Sequence, residues 1–133
     1  MVPSDEHDVD VVTKLSSRSV QETTAAFLEL LHAKGLKLFD VIDQQTEARD
    51  VGLELRATTL ILFGNPTAGT PVMEAAPLSA LDLPLKVLIW TDGEQTKVSY
   101  VAPDALARRY QLTPELRDNL SGIDALTDAL VAK

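Results

Sequence analysis

The alternation of apolar and polar positions divides the chain into short, clearly punctuated segments. Val9, Val11 and Leu15 predict a first strand that ends at Ser16–Ser17. Ser19-Val20-Gln21-Glu22 is a capping-box pattern, in which the Ser hydroxyl and the Glu carboxylate each satisfy an orphan backbone N–H. Behind it Val20, Phe27, Leu28 and Leu31 recur at helical spacing, and Gly35 supplies the left-handed stop. Leu36–Ile42 reads as the next strand, and Asp43 is placed to cap a short helix through Val51 that Gly52 ends. Thr58–Phe63 is a continuous β-rich run, apolar on both faces. It predicts a central strand covered on both sides, or by a dimer partner. Gly64-Asn65-Pro66 breaks that run, with Asn65 as N-cap and Pro66 in the first helical position of a short helix to about Ala76, disturbed by Pro71.

Leu78–Pro84 reads as a loop with Asp82 in its middle. Leu85–Thr91 and Thr96–Val101 flank Asp92-Gly93-Glu94, a hairpin signal with Gly free to take positive φ. Pro103–Tyr110 is a helical turn or two. Thr113-Pro114 then starts a final helix whose Leu116, Leu120, Ile123, Leu126 and Leu130 form one apolar stripe, with a kink expected at Ser121–Gly122. The order is β-α-β-α-β-α-β-β-α-α. It predicts an α+β fold: one compact domain over residues 9–133 behind a flexible tail at 1–8, with a mixed, mostly antiparallel sheet of about five strands and helices mainly on one face. The hairpin is antiparallel by construction, whereas the earlier strands, separated by helices, are candidates for parallel pairing.

Composition narrows the classes of function. Aromatic residues are only 5%, so the core must be built mainly of Leu, Val, Ile and Ala. A net charge of −8, relieved only by the pair Arg108–Arg109, repels phosphate backbones and argues against nucleic-acid binding. The absence of cysteine removes disulfides, thiolate nucleophiles and Cys-based metal sites, and fits a reducing cytoplasm. The acidic start Met-Val-Pro-Ser-Asp-Glu-His-Asp is unlike a signal peptide. Leu60–Phe63 and Val87–Trp90 are far shorter than the roughly 20 residues of a membrane span. A cytoplasmic protein with no membrane partner is expected. Neither histidine has a companion at metal-ligand spacing, so no metal and no cofactor are expected.

Candidate chemistry gathers in the loops. Gly64 to Gly69-Thr70 has the outline of a phosphate loop, but lacks the Lys that reaches the phosphates, and Pro66 and Pro71 remove amide donors. A lesser role remains open: amides near Thr67–Gly69, with Thr70, holding a small anion or carboxylate at a helix N-terminus. The alternative is that Asn65 and Thr70 cap the helix and Gly69 permits close packing. Asp82, between apolar neighbours in Leu81-Asp82-Leu83-Pro84, must reach solvent or find partners such as Lys86 or Thr70. It is either a binding or general-base group beside Asn65, Glu74 and Tyr100, or a loop-fixing acceptor. Trp90 and Tyr100, on adjacent hairpin strands, either line a pocket or pack together.

The stretch from Thr59 through Phe63-Gly64-Asn65-Pro66 to Gly69-Thr70-Pro71-Val72-Met73 resembles the signature of the family catalogued as domain of unknown function 302. Leu81–Lys86, Ser99-Tyr100, and Val20–Gly35 with Phe39–Asp43 are similar to its other blocks, so the resemblance runs in order over residues 10–112. It implies a compact α+β fold, often dimeric, in bacteria and archaea, with no activity established for the family as a whole. Two positions depart from it: Gln44 stands where many relatives carry His, and Tyr100-Val101-Ala102-Pro103 where many read Tyr-Asn-Asp-Pro.

The leading expectation is therefore a small-molecule or anion-binding accessory domain, homodimeric by resemblance. Its cleft is expected near Asn65, Thr70, Asp82 and Tyr100, with Thr67, Glu74 and Lys86 as further candidates. Two alternatives stand beside it. One is an acid–base enzyme using Asp82 and Glu74, which requires a displaced carboxyl pKa in a concave pocket. The other is a protein-interaction domain acting through the apolar stripe of the last helix, which requires that stripe to be exposed.

Overall fold

Local signals set the element boundaries. In the computed structural model, which describes residues 9–132, the strands are β1 (Val11–Ser16), β2 (Lys37–Asp43), β3 (Thr58–Gly64), β4 (Leu85–Asp92) and β5 (Gln95–Val101). The helices are α1 (Val20–Ala33), α2 (Gln44–Asp50), α3 (Pro66–Ala75), α4 (Pro103–Tyr110), α5 (Pro114–Asp118) and α6 (Gly122–Val131), with a 3-10 turn at Pro77–Leu81. The tail expected at residues 1–8 lies outside the described residues. Ser19 Oγ accepts the Glu22 amide at 3.0 Å and Glu22 Oε1 accepts the Ser19 amide at 3.1 Å, completing the capping box. Gly35, at φ 68°, ends α1, and the Leu36 amide folds back onto the Leu31 carbonyl. Asp43, Asn65 and Thr113 cap α2, α3 and α5 with their side chains.

The sheet order is β1-β5-β4-β3-β2, and every pairing is antiparallel. The parallel pairing considered for the early strands does not occur. Helix α2 has seven residues, about 10 Å at 1.5 Å per residue, too short to carry the chain back along β2. So β3 returns beside β2 in the opposite direction. The 14-residue α1 does cross the sheet, and β1 and β2 run the same way, but at opposite edges with three strands between them. Gly93, at φ 61°, turns the β4–β5 hairpin.

Burial along β3 alternates instead of being continuous. Thr59, Ile61 and Phe63 are buried, while Leu60 and Leu62 on the opposite face are half-buried. On the buried face, Val87 and Ile89 of β4 and Val98 and Tyr100 of β5 join Phe27 and Leu31 of α1 and Ile123, Leu126 and Leu130 of α6. Phe27 meets Phe63 edge to face with ring centroids 5.2 Å apart. Each such side chain contributes about 1.5–3 kcal/mol by leaving water.

The final helix is two helices. Asn119 to Ser121 make tight backward bonds to Leu116, Arg117 and Asp118 that end α5, and Ser121–Gly122 are poor helix formers. The break lets Leu120 join Val72 and Leu106 in a second cluster while Ile123, Leu126 and Leu130 close the main core. The stripe is thus spent inside the molecule: Leu130 is 1% exposed. The interaction role proposed for it is overturned.

Candidate functional site

A groove of about 630 Å³ opens between α3 and α6 at the end of the sheet where β2 begins and β3 ends. Its floor is Phe63, Leu85, Ile123 and Leu126, and its sides include Leu36, Met73 and Leu83. Such a volume and lining are those of small-molecule sites. The β2 edge contributes through an irregularity. Leu38 pairs with Phe63 and Asp40 with Leu62, so Phe39 is an extra residue in β2. A bulge re-aims its side chain, and Phe39 lines the groove, its Cε2 3.9 Å from where a Cβ on Gly64 would stand.

Two glycines help to keep the groove open. Gly69 lies inside α3 with ordinary φ, and a Cβ built there meets nothing within 4 Å; the same holds for Gly122 at the start of α6. Close packing, the role expected for Gly69, is therefore not what the structure shows. Gly inside a helix costs about 0.5–1 kcal/mol relative to Ala, and here no neighbour demands it. Ala68, Ala125 and Ala129 continue the small-residue lining.

The polar residues of the lining are Lys34, Asn65, Thr70, Asp118 and Asn119. Asn65 Oδ1 accepts the Thr67 amide at 3.0 Å, and the amides of Ala68 and Gly69 both donate to the Asn65 carbonyl. The first-turn amides considered for an anion are thus engaged within the helix, and the capping reading holds for Asn65. Asn119 Nδ2 donates to the Ala68 carbonyl at 3.1 Å, tying α5 to α3, and Asp118 pairs with Arg117 at 3.2 Å.

The remaining predicted residues lie elsewhere, so the four-residue cleft is not formed. Thr67 and Glu74 are exposed on α3 and do not line the groove. Asp82 turns toward α4, where Tyr110 Oη and Arg109 Nη1 both donate to its Oδ2, the latter at 3.0 Å. Burial alone would raise its pKa. The bonds from Tyr110 and Arg109, with the charges of Arg109 and Lys86, outweigh burial and hold the carboxyl below its ordinary value. That is the opposite of a carboxyl tuned toward neutral pH as a general base. Lys86 acts on Asp82 only through its charge, and pairs with Leu62 in the sheet. Ser79 Oγ beside it is buried and has no partner among the described residues, but the depression they share has no room for a water.

Trp90 and Tyr100 occupy opposite faces of the sheet. Trp90 Nε1 donates to Ser99 Oγ at 2.9 Å. Tyr100 lies under α6, where its hydroxyl donates to Asp124 Oδ1 at 2.5 Å. Burial first, and that hydrogen bond second, raise the Tyr100 pKa. Beside it Lys14 Nζ reaches the Asp124 carbonyl at 2.9 Å, Thr127 Oγ1 at 2.7 Å and Asp128 Oδ1 at 2.8 Å. Burial works to lower the Lys14 pKa, but bonding to Asp128 and Tyr100 more than offsets it and the pKa is raised. Among the described residues no group of three His, Asp or Glu side chains is placed to hold a metal, and no helix is long and apolar enough to cross a membrane.

The groove residues Lys34, Leu36, Phe39, Leu83, Asn119 and Ala129 were not singled out by the sequence. The available signal was a glycine, Gly69, in a helical stretch with no turn to make.

The crystal structure of an uncharacterized conserved protein DUF302 from Bacillus stearothermophilus has a similar fold, with TM-score 0.78 over 92% of this chain and 96% of that one at 19% identity. Among curated proteins, "Fluoride-specific ion channel FluC 1" of Brucella suis biovar 1 and the protein of that name from Brucella abortus biovar 1 are each 36% identical over 106 residues. These cover 79% of this chain but only 42% and 39% of the relatives, so the chain spans about two fifths of their length. The family described as "Domain of unknown function DUF302" matches residues 12–130, and the chain belongs to it.

Proposed function

We propose that this domain binds a small, largely apolar molecule in the groove between α3 and α6, and that its role is recognition. One observation carries the reading: about 630 Å³ of apolar-lined space is bordered by helices whose Gly69 and Gly122 have open space where side chains would go. Protein interiors close such gaps unless something occupies them, because an apolar void costs stability. The acid–base alternative is disfavoured, since Asp82 lies off the groove in an ion pair that keeps it charged. The test is a thermal-shift screen with apolar compounds on the intact chain and on Gly69→Leu. The leucine enters open space and improves helix propensity, so the variant should melt no lower than the parent. Ligands that stabilise the parent should lose their effect in it. A hit that stabilises both equally would refute the groove.

A second reading concerns context. The Brucella relatives are longer chains named as fluoride-specific ion channels. A helical channel needs spanning helices of roughly 20 residues, and no helix among the described residues is long and apolar enough to cross a membrane, which supports placing conduction outside the matched portion. This domain type would then be an accessory unit that senses a ligand beside a channel. Fluoride should accordingly give no stabilisation beyond that of chloride at equal ionic strength. We further propose a homodimer through the sheet face bearing Leu60, Leu62, Leu88 and Trp90, all half-buried, checked by light scattering. The acidic, cysteine-free composition supports a cytoplasmic setting.

A further inference from the structure

Resting on the groove reading above, we infer that the occupant is an amphipathic monoanion, an aliphatic or aromatic carboxylic acid whose tail fills the groove and whose carboxylate meets Lys34. Part of the rim's polar capacity is already engaged within the protein. Asn65 Oδ1 and Asn119 Nδ2 are bonded within the protein, and Asp118 is paired at 3.2 Å with Arg117, which also bonds Asp104 at 2.5 Å. Left open among the described residues are the Asn65 Nδ2 donor, the Thr70 hydroxyl, the Asn119 Oδ1 acceptor and the Lys34 ammonium, which has no ion pair or side-chain hydrogen bond there. Lys37 pairs with Gly64, so β2 begins beside Gly64-Asn65 three residues after Lys34, and Lys34 and Asn65 both line the groove. The open capacity includes two donor groups and the Lys34 charge, which has no ion pair among the described residues. An acceptor-only anion satisfies the Lys34 ammonium and the Asn65 and Thr70 donors, whereas an ammonium head group meets the like charge of Lys34, with Asn119 Oδ1, the Thr70 hydroxyl and Asp118 as the rim's acceptors. In a chain of net charge −8, an unpaired cation at an apolar mouth is the local exception. The floor of Phe63, Leu85, Ile123 and Leu126 offers the tail nothing polar.

Calorimetric titration of the intact chain with octanoate, 1-octanol and octylammonium tests this. Octanoate should bind roughly fivefold tighter than the alcohol, the scale of a partly exposed ion pair, and the ammonium weakest. Extending the acid by one methylene should gain about threefold to fourfold. Lys34→Gln should reduce octanoate to the affinity of the alcohol and leave the alcohol unchanged, an outcome that a helix-end role for Lys34 would not produce. If the alcohol binds as tightly as the acid, or Lys34→Gln keeps the acid's advantage, the carboxylate inference falls. The groove reading survives that result provided Gly69→Leu blocks the alcohol. If Gly69→Leu leaves octanoate binding intact, the acid sits elsewhere and the inference is overturned. Should neither octanoate nor octanol bind, inference and groove reading fall together.

Discussion

The two lysines that approach the helical layer from opposite edges of the sheet are held in opposite ways. Lys14, on β1, has three oxygen acceptors on α6, from Asp124, Thr127 and Asp128, and its ammonium lies 5.3 Å from the centre of the Tyr100 ring. Lys34, at the end of α1, has none among the described residues and stands at the rim of an apolar groove that α6 also borders. One helix therefore serves a polar anchor and an unfilled space. The anchor fixes the position of α6 without help from the groove, so the groove side is free of the need to pack. Underpacking costs stability, and a hydrogen-bonded network beside the core offsets it.

The largest expected effect breaks the anchor. Lys14→Ala leaves the buried Thr127 hydroxyl and the Tyr100–Asp124 pair without their cation, and should lower stability by about 2–3 kcal/mol, the scale of an unsatisfied buried network. A denaturant titration reads this directly; a loss below about 0.5 kcal/mol would show that α6 is held by its apolar face alone. The same anchor sets an alkaline limit. Lys14 and Tyr100 both have raised pKa values in the folded chain. A raised folded pKa means the folded state holds its proton more tightly, so the stabilisation is complete below the unfolded values near 10. It is lost as pH climbs through the folded ones. Stability should thus fall above about pH 10, and Tyr100→Phe should flatten that fall.

The reach of the sequence differs between the regions for a physical reason. Caps act within three or four residues, so Ser19, Asp43, Asn65 and Thr113 were legible from spacing alone, as was the turn at Gly93. The groove draws Lys34, Phe39, Gly69, Leu83 and Ala129 from five separate parts of the chain. Periodicity within one element cannot assemble them. Phe39 faces the groove because of a bulge fixed by its pairing with β3, which no local pattern announces. The sequence requires Asp82 to reach solvent or find partners such as Lys86 or Thr70, and its partners are Arg109 and Tyr110 on a later helix. Only Asn65 and Thr70 of the expected cleft reach the groove.

On the groove side, substitutions should cost nothing. Gly69→Ala places a methyl in open space on a helix with ordinary φ and should stabilise by about 0.5–1 kcal/mol. A destabilised Gly69→Ala would mean that α3 needs the glycine backbone itself, and the contrast with the anchor would fail.

The smallest effect is the most discriminating. Lys34→Gln removes a charge with no ion pair or side-chain hydrogen bond to lose among the described residues, so the unliganded chain should change by less than about 0.5 kcal/mol. What change there is should be a slight loss, from a cation leaving the C-terminal end of α1. Lys14 and Lys34 are the same side chain, and the difference in cost between removing each measures what the surroundings supply. If Lys34→Gln proved as damaging as Lys14→Ala, the rim would be part of the scaffold and the groove would have no free charge to offer. A silent substitution that nevertheless alters binding would separate the two faces of α6 by function as well as by packing.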